Sequence, residues 1–126
     1  MLKKLLVPLF VLILSGCKTE IHLNGFNDKI WRGDKGGCLG ERKQTIDSLL
    51  ISKNKLKGHT TEDIVDFLGN PDKKELASRN QKTFYYFIEP GIHCNLSSSP
   101  SPSKAPYIYI RFSALNKATE IVFERN

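Results

Sequence analysis

The chain has 126 residues, enough for one small domain and too few for a second sizeable core. Nineteen lysines and arginines stand against 13 acidic residues, a net charge of +6. The excess is spread along the chain, which excludes the dense basic stripe with interleaved aromatics that a nucleic-acid binder needs. It reads as a solvated surface, with acidic lipid head groups or an acidic partner as a weaker alternative.

The first signal in chain order is the leader. Lys3 and Lys4 precede an apolar run, residues 5–14, that is too short to span a bilayer, which takes about 20 residues. Leu14-Ser15-Gly16-Cys17 follows directly. This resembles the signal peptide and lipobox of a bacterial lipoprotein, in which the cysteine receives a diacylglycerol and becomes the first residue after cleavage. The resemblance implies lipidation of Cys17 and attachment to a membrane through that lipid. The alternative is a simple signal peptide with a chance cysteine. One acyl chain binds membranes only marginally, so two or more are needed for a durable anchor. Lys18 is not the aspartate that commonly retains such proteins in the inner membrane, so the expected address is the cell envelope, at the outer membrane. Removing 16 residues with Lys3 and Lys4 leaves 110, with 17 basic and 13 acidic groups, a net charge of +4. The expected organisation is a signal peptide over 1–16, a lipidated tether over 17–30 and one domain over 31–126.

Residues 18–26 show no clear periodicity and read as that tether, with a reach on the order of 15–20 Å. In Trp31-Arg32-Gly33-Asp34-Lys35-Gly36-Gly37-Cys38-Leu39-Gly40, four glycines fall within eight positions, which argues against regular structure. Trp31 and Cys38 are expected to pin this loop to the domain. Its Arg-Gly-Asp tripeptide is short enough to recur by chance. With Cys17 lipidated, Cys38 and Cys94 remain, an even number in an oxidising compartment, and they are expected to form a disulfide. Loop-closure entropy gives it about 4 kcal/mol. A redox or metal site including His93 is the alternative; two thiols and one imidazole are a poor metal signature, so no metal is expected.

Helical periodicity begins after Arg42. Ile46, Leu49 and Leu50 share one face, with Lys43, Gln44 and Ser48 opposite, and Thr45 or a nearby polar residue caps the start. Lys53-Asn54-Lys55 places cations at the helix end, and Leu56 folds back under it. A second helix follows Gly58-His59-Thr60-Thr61. Glu62 and Asp63 occupy its first turn, Ile64, Val65, Phe67 and Leu68 its buried face, and Gly69 and Pro71 stop it.

From Lys74 the pattern turns to strands. Residues 75–78 suggest a short one, turning at Arg79-Asn80-Gln81. Residues 83–88 form a β-branched and aromatic run ended by Glu89-Pro90-Gly91. Residues 96–106 hold five serines and three prolines and read as a loop. Residues 107–112 alternate, with Ile108, Ile110 and Phe112 on one face and Tyr107, Tyr109 and Arg111 on the other. A last strand spans 118–123 after a turn at Leu115-Asn116-Lys117. The expected fold is α+β and two-layered: two N-terminal helices packed on a three- to four-stranded antiparallel sheet.

The segment Leu56-Lys57-Gly58-His59-Thr60-Thr61-Glu62-Asp63-Ile64-Val65-Asp66-Phe67-Leu68-Gly69-Asn70-Pro71 resembles the signature of BamE (SmpA/OmlA-like) lipoproteins, in which glycine, a small polar residue and a helix lead to Leu-Gly-x-Pro. The resemblance covers residues 44–123. It implies an ααβββ domain, a unit that β-lactamase inhibitor proteins share, and a place beside the machinery that inserts β-barrels into the outer membrane. The 31–38 loop, the Cys38/Cys94 pair and the serine–proline stretch depart from that pattern. The motif is structural and implies fold more than function.

Catalytic signatures are lacking in the sequence. There is no HExxH, GxSxG or phosphate-binding glycine loop, and His22, His59 and His93 read as loop or surface residues. Glu62, Asp63 and Asp66 read as a solvated helix face. A non-enzymatic protein is expected, without cofactor other than the lipid on Cys17. Binding chemistry rests on aromatics: Tyr107, Tyr109, Arg111 and one of the neighbours Tyr85 and Tyr86 would share the outer sheet face, and Tyr85 completes the candidate set. Tyrosine and arginine are enriched at binding hot spots, although tyrosine also suits half-exposed strands. The expected role is an envelope protein-binding module in outer-membrane assembly or maintenance; the alternative is an inhibitor or immunity-type lipoprotein that neutralises an enzyme.

Overall fold

In the computed structural model, residues 20–95 and 103–125 and the single residue Val11 are described. The expectations for Cys17, the leader and most of the serine–proline stretch lie outside the described residues. Three helices, α1 (Asp28–Gly33), α2 (Glu41–Ile51) and α3 (Thr61–Leu68), precede four strands, β1 (Lys73–Leu76), β2 (Lys82–Phe87), β3 (Tyr107–Phe112) and β4 (Ala118–Glu124). The strands form one antiparallel sheet in the order β1-β2-β3-β4. This is the α+β, helices-then-sheet arrangement the pattern predicts.

Alternation within the strands decides the layers. Phe84, Tyr86, Ile108, Ile110, Phe112 and Ile121 point inward and join Ile46, Leu49, Leu56, Ile64, Phe67 and Leu68 of the helical layer in one core. The Tyr86 hydroxyl reaches the same side and donates to the Gly69 carbonyl at 2.8 Å. Tyr85 therefore belongs to the outer face, which settles the choice between the two neighbours.

The second predicted helix forms as read. Thr60 and Asp63 make a reciprocal capping box, and the Gly69 N–H closes the last turn on Val65 O at 2.8 Å. Gly69 has φ 82°, a left-handed conformation that glycine adopts without strain. The first predicted helix is α2, and its capping differs. Thr45 is interior, its hydroxyl donating to Arg42 O at 3.1 Å. The cap comes from Asp34, six residues before Gly40: its carboxylate accepts from the N–H groups of Leu39, Glu41 and Arg42 at 2.7, 2.9 and 2.9 Å.

Two expectations need correction. Residues 31–40 do contain regular structure: α1 ends at Gly33 and a 3₁₀ turn spans Lys35–Gly37. Asn27 caps α1 by accepting from Lys29 and Ile30 N–H groups, and Gly36 and Gly37 supply positive φ. Gly37 must also lack a side chain, because a Cβ there would stand 2.5 Å from the Ile88 backbone. The assignment of residues 17–30 to a tether also fails from Ile21 onward. Leu23 is buried, Ile21 and Phe26 pack against the core, and the Phe26 ring lies 5.7 Å from Trp31 and 5.4 Å from Phe67. Apolar residues at 21, 23, 26 and 31 follow neither a strand nor a helix period, because the chain changes from extended to helical among them.

Behind the sheet lies a buried ion pair. Arg42, 1% exposed, donates to Asp72 Oδ2 at 2.7 Å, to Phe87 O at 3.0 Å and through Nε to Trp31 O at 3.1 Å. Its guanidinium stacks over Trp31, 4.9 Å from the ring centre. Asp72 in turn accepts from the Phe87 and Gly36 N–H groups. One pair thus ties α2, the 34–40 turn and β2 together.

Candidate binding surface

The register assembles the outer face row by row. Lys73, Tyr85, Tyr109 and Val122 lie abreast; Phe87, Tyr107 and Glu124 form the row on one side, and Glu75, Thr83, Arg111 and Glu120 the row on the other. The structure therefore brings Tyr85, Tyr107, Tyr109 and Arg111 together. The Tyr85 ring meets Tyr107 edge-on at 5.4 Å and tilts toward Tyr109 at 6.1 Å. The three tyrosines are half-buried and Arg111 is exposed. Asp72 helps hold this strip, since its N–H donates to Tyr85 O while its carboxylate binds the Phe87 N–H.

Charges frame the aromatic centre in pairs. Lys73 bridges Glu75 at 2.8 Å and lies 5.2 Å from the Tyr85 ring centre. Arg111 bridges Glu120 at 2.8 Å and lies 5.6 Å from the Tyr109 ring centre. The Tyr85 hydroxyl donates to Glu75 at 2.7 Å. Burial and then the adjacent Glu75 push the Tyr85 phenol up to about 12, while the bonds from Lys73 and then Tyr85 hold Glu75 below the usual carboxylate range. Burial and then Glu120 also raise Tyr109. The Tyr85 and Tyr109 phenols therefore keep their protons at neutral pH.

Cys38 and Cys94 are joined in a disulfide, with Cα atoms 5.8 Å apart. His93 lies beside it, Nε2 within 2.6 Å of Gly36 O and 3.5 Å of Cys94 Sγ, and Nδ1 within 2.7 Å of Ser103 Oγ. Its ring stacks on Phe87 at 3.9 Å. The sequence spacing concealed this Ser103–His93 contact, which joins two loops ten residues apart. The Ser103 hydroxyl also accepts from the Ala105 N–H, and a Cβ on Gly91 would stand 2.6 Å from it, so it acts as a clasp between loops.

The singled-out groups at and along α3 are hydrogen-bonded. His59 and Asp63 approach to 3.3 Å at the α3 cap, and Glu62 accepts from Asn116 at 3.1 Å. The Asp66 carbonyl accepts from Arg32, which also bridges Asp28 within α1. A cleft of about 850 Å³ opens between residues 20–28 and α3, with Ile21, Phe26 and Phe67 among its apolar walls and Asp28, Asp63 and Asp66 among its acidic ones. Among the described residues, no helix is long and apolar enough to cross a membrane. No protein-family model, curated protein or solved structure matches this chain.

Proposed function

We propose that the chain is a non-enzymatic envelope lipoprotein, anchored through lipid on Cys17, whose outer sheet face binds a protein partner. The observation that carries this reading is the cluster of Tyr85, Tyr107 and Tyr109 framed by the Lys73–Glu75 and Arg111–Glu120 pairs. Rigid amphipathic rings beside a guanidinium supply large contact area with little side-chain entropy to lose. The leader and the residue after Cys17 support an outer-membrane address, and the likeness of residues 56–71 to BamE-type lipoproteins supports a role in outer-membrane assembly or maintenance. Nucleic acid is not part of this reading.

The test is capture of a partner from solubilised envelopes by the lipidated chain. The double substitution Tyr109→Ala with Arg111→Ala is expected to abolish capture and leave the melting temperature nearly unchanged, because neither side chain reaches the core. Loss of folding in that variant would reassign both residues to structure, and undiminished capture would discard the face as the binding surface. Should the captured protein be an enzyme whose activity falls on binding, the inhibitor or immunity role replaces the assembly role.

A further inference from the structure

The imidazole of His93 is placed where a structural disulfide has no need of one. One ligand atom each from Cys38, His93 and Cys94 lies within 4.8 Å of the other two. Around a three-coordinate ion, bonds of about 2.3 Å to sulfur and 2.0 Å to nitrogen set such atoms about 3.7–4.0 Å apart. In the disulfide form Cys94 Sγ and His93 Nε2 stand 3.5 Å apart, within a few tenths of an ångström of that spacing. We propose that Cys38, Cys94 and His93 form a redox-gated site for copper(I), closed as the disulfide and opened when an external dithiol reduces it.

The step balances. The dithiol gives two electrons and two protons to the S–S bond and becomes a disulfide itself, leaving thiols on Cys38 and Cys94. Copper(I) then displaces both thiol protons to solvent. The imidazole must offer Nε2 as a lone pair, so its proton moves to Nδ1 and Nε2 leaves the Gly36 carbonyl. Ser103 accommodates this exchange, since its hydroxyl, 2.7 Å from Nδ1, can donate in one tautomer and accept in the other. A hydrogen bond from the non-ligating ring nitrogen is the usual outer support of a metal-bound histidine.

The donors stay together without the S–S bond because other contacts hold both loops. Asp34 binds three N–H groups of residues 39–42, Asp72 binds the Gly36 N–H, and Gly37 lies against the Ile88 backbone. On the other side, the Cys94 N–H closes a turn on Gly91 O at 3.0 Å and His93 stacks on Phe87. Thiolates select soft cations, which favours copper(I); zinc(II), which a two-cysteine, one-histidine set holds with water as a fourth ligand, is the competing ion that the titration separates from it.

The test uses the full chain in detergent, with Cys17→Ser throughout to remove the third thiol. The sample is reduced with a dithiol, desalted without oxygen and titrated with copper(I) against a chromophoric chelator. The reduced chain is expected to keep its near-ultraviolet circular dichroism and to bind one copper(I), while the oxidised chain binds none in competition. Cys94→Ser is expected to abolish binding, His93→Gln to weaken it more than tenfold and Ser103→Ala about tenfold. Equal binding by the oxidised chain, unaltered affinity in His93→Gln, tighter binding of zinc(II) than copper(I), or unfolding on reduction would each overturn the proposal.

Discussion

At the scale of single residues, Asp34 and Arg42 carry weight out of proportion to their polarity. Asp34 is fully buried and satisfies three N–H groups at the start of α2. Removing a cap alone costs about 1 kcal/mol, and leaving buried donors unpaired adds about 1–3 kcal/mol each. Asp34→Ala should therefore lower unfolding free energy by more than about 2 kcal/mol in urea titration. Arg42→Met should cost about 3–5 kcal/mol by the same measurement, because it strands the Asp72 carboxylate that the guanidinium now neutralises. Tyr85 adds a spectroscopic signature. Its phenol is raised to about 12 from 10.0, so it favours the fold below pH 10 and loses that contribution as pH rises through the interval to 12. Ultraviolet titration of Tyr85→Phe should lack the phenol ionisation near pH 12 that the parent chain shows.

Among the elements, α3 is the one whose stability should follow pH most legibly. Burial raises the Asp63 carboxyl, but bonds from the Thr60 N–H, His59 and the Thr60 hydroxyl outweigh it, and the net displacement is below 3.8. A depressed carboxyl stabilises the fold above its unfolded value and loses that contribution as pH falls through the folded one. The melting temperatures of the parent chain and Asp63→Asn should thus differ at neutral pH and converge below pH 3.8. A gap that persists into strong acid would show that the capping box, not the charge, carries the effect. The strands depend on register instead: one residue of slip in β2 would exchange Tyr85 for Tyr86 and bury the wrong rings.

For the whole molecule, a 56-residue separation is closed by one disulfide while Arg42–Asp72 and the Gly37–Ile88 approach cross the same region. Reduction should cost about 4 kcal/mol through loop entropy, lowering the midpoint of unfolding without eliminating the folded state. Mass spectrometry of the mature protein is expected to find acyl groups on Cys17; an unmodified terminus would withdraw the membrane attachment from the proposed role.

Local chemistry alone determined much of this protein. Periodicity and caps mark α3 and its stop at Gly69, the alternation of residues 107–112 assigns inner and outer faces, and setting Cys17 aside as lipidated leaves Cys38 and Cys94 as a pair. The first two signals are legible because each depends on neighbours in sequence, a turn of helix and the two-residue pleat, and the third because it needs only a count of thiols. The tertiary structure alone decided the rest. Asp34 as the cap of α2, Asp72 as the partner of Arg42, the packing of Leu23 and Phe26, and the meeting of His93 with Gly36 and Ser103 all join separate stretches of chain. Nothing in an aspartate's immediate neighbours tells which distant donors will need it once water is expelled, because that need arises only when the layers close.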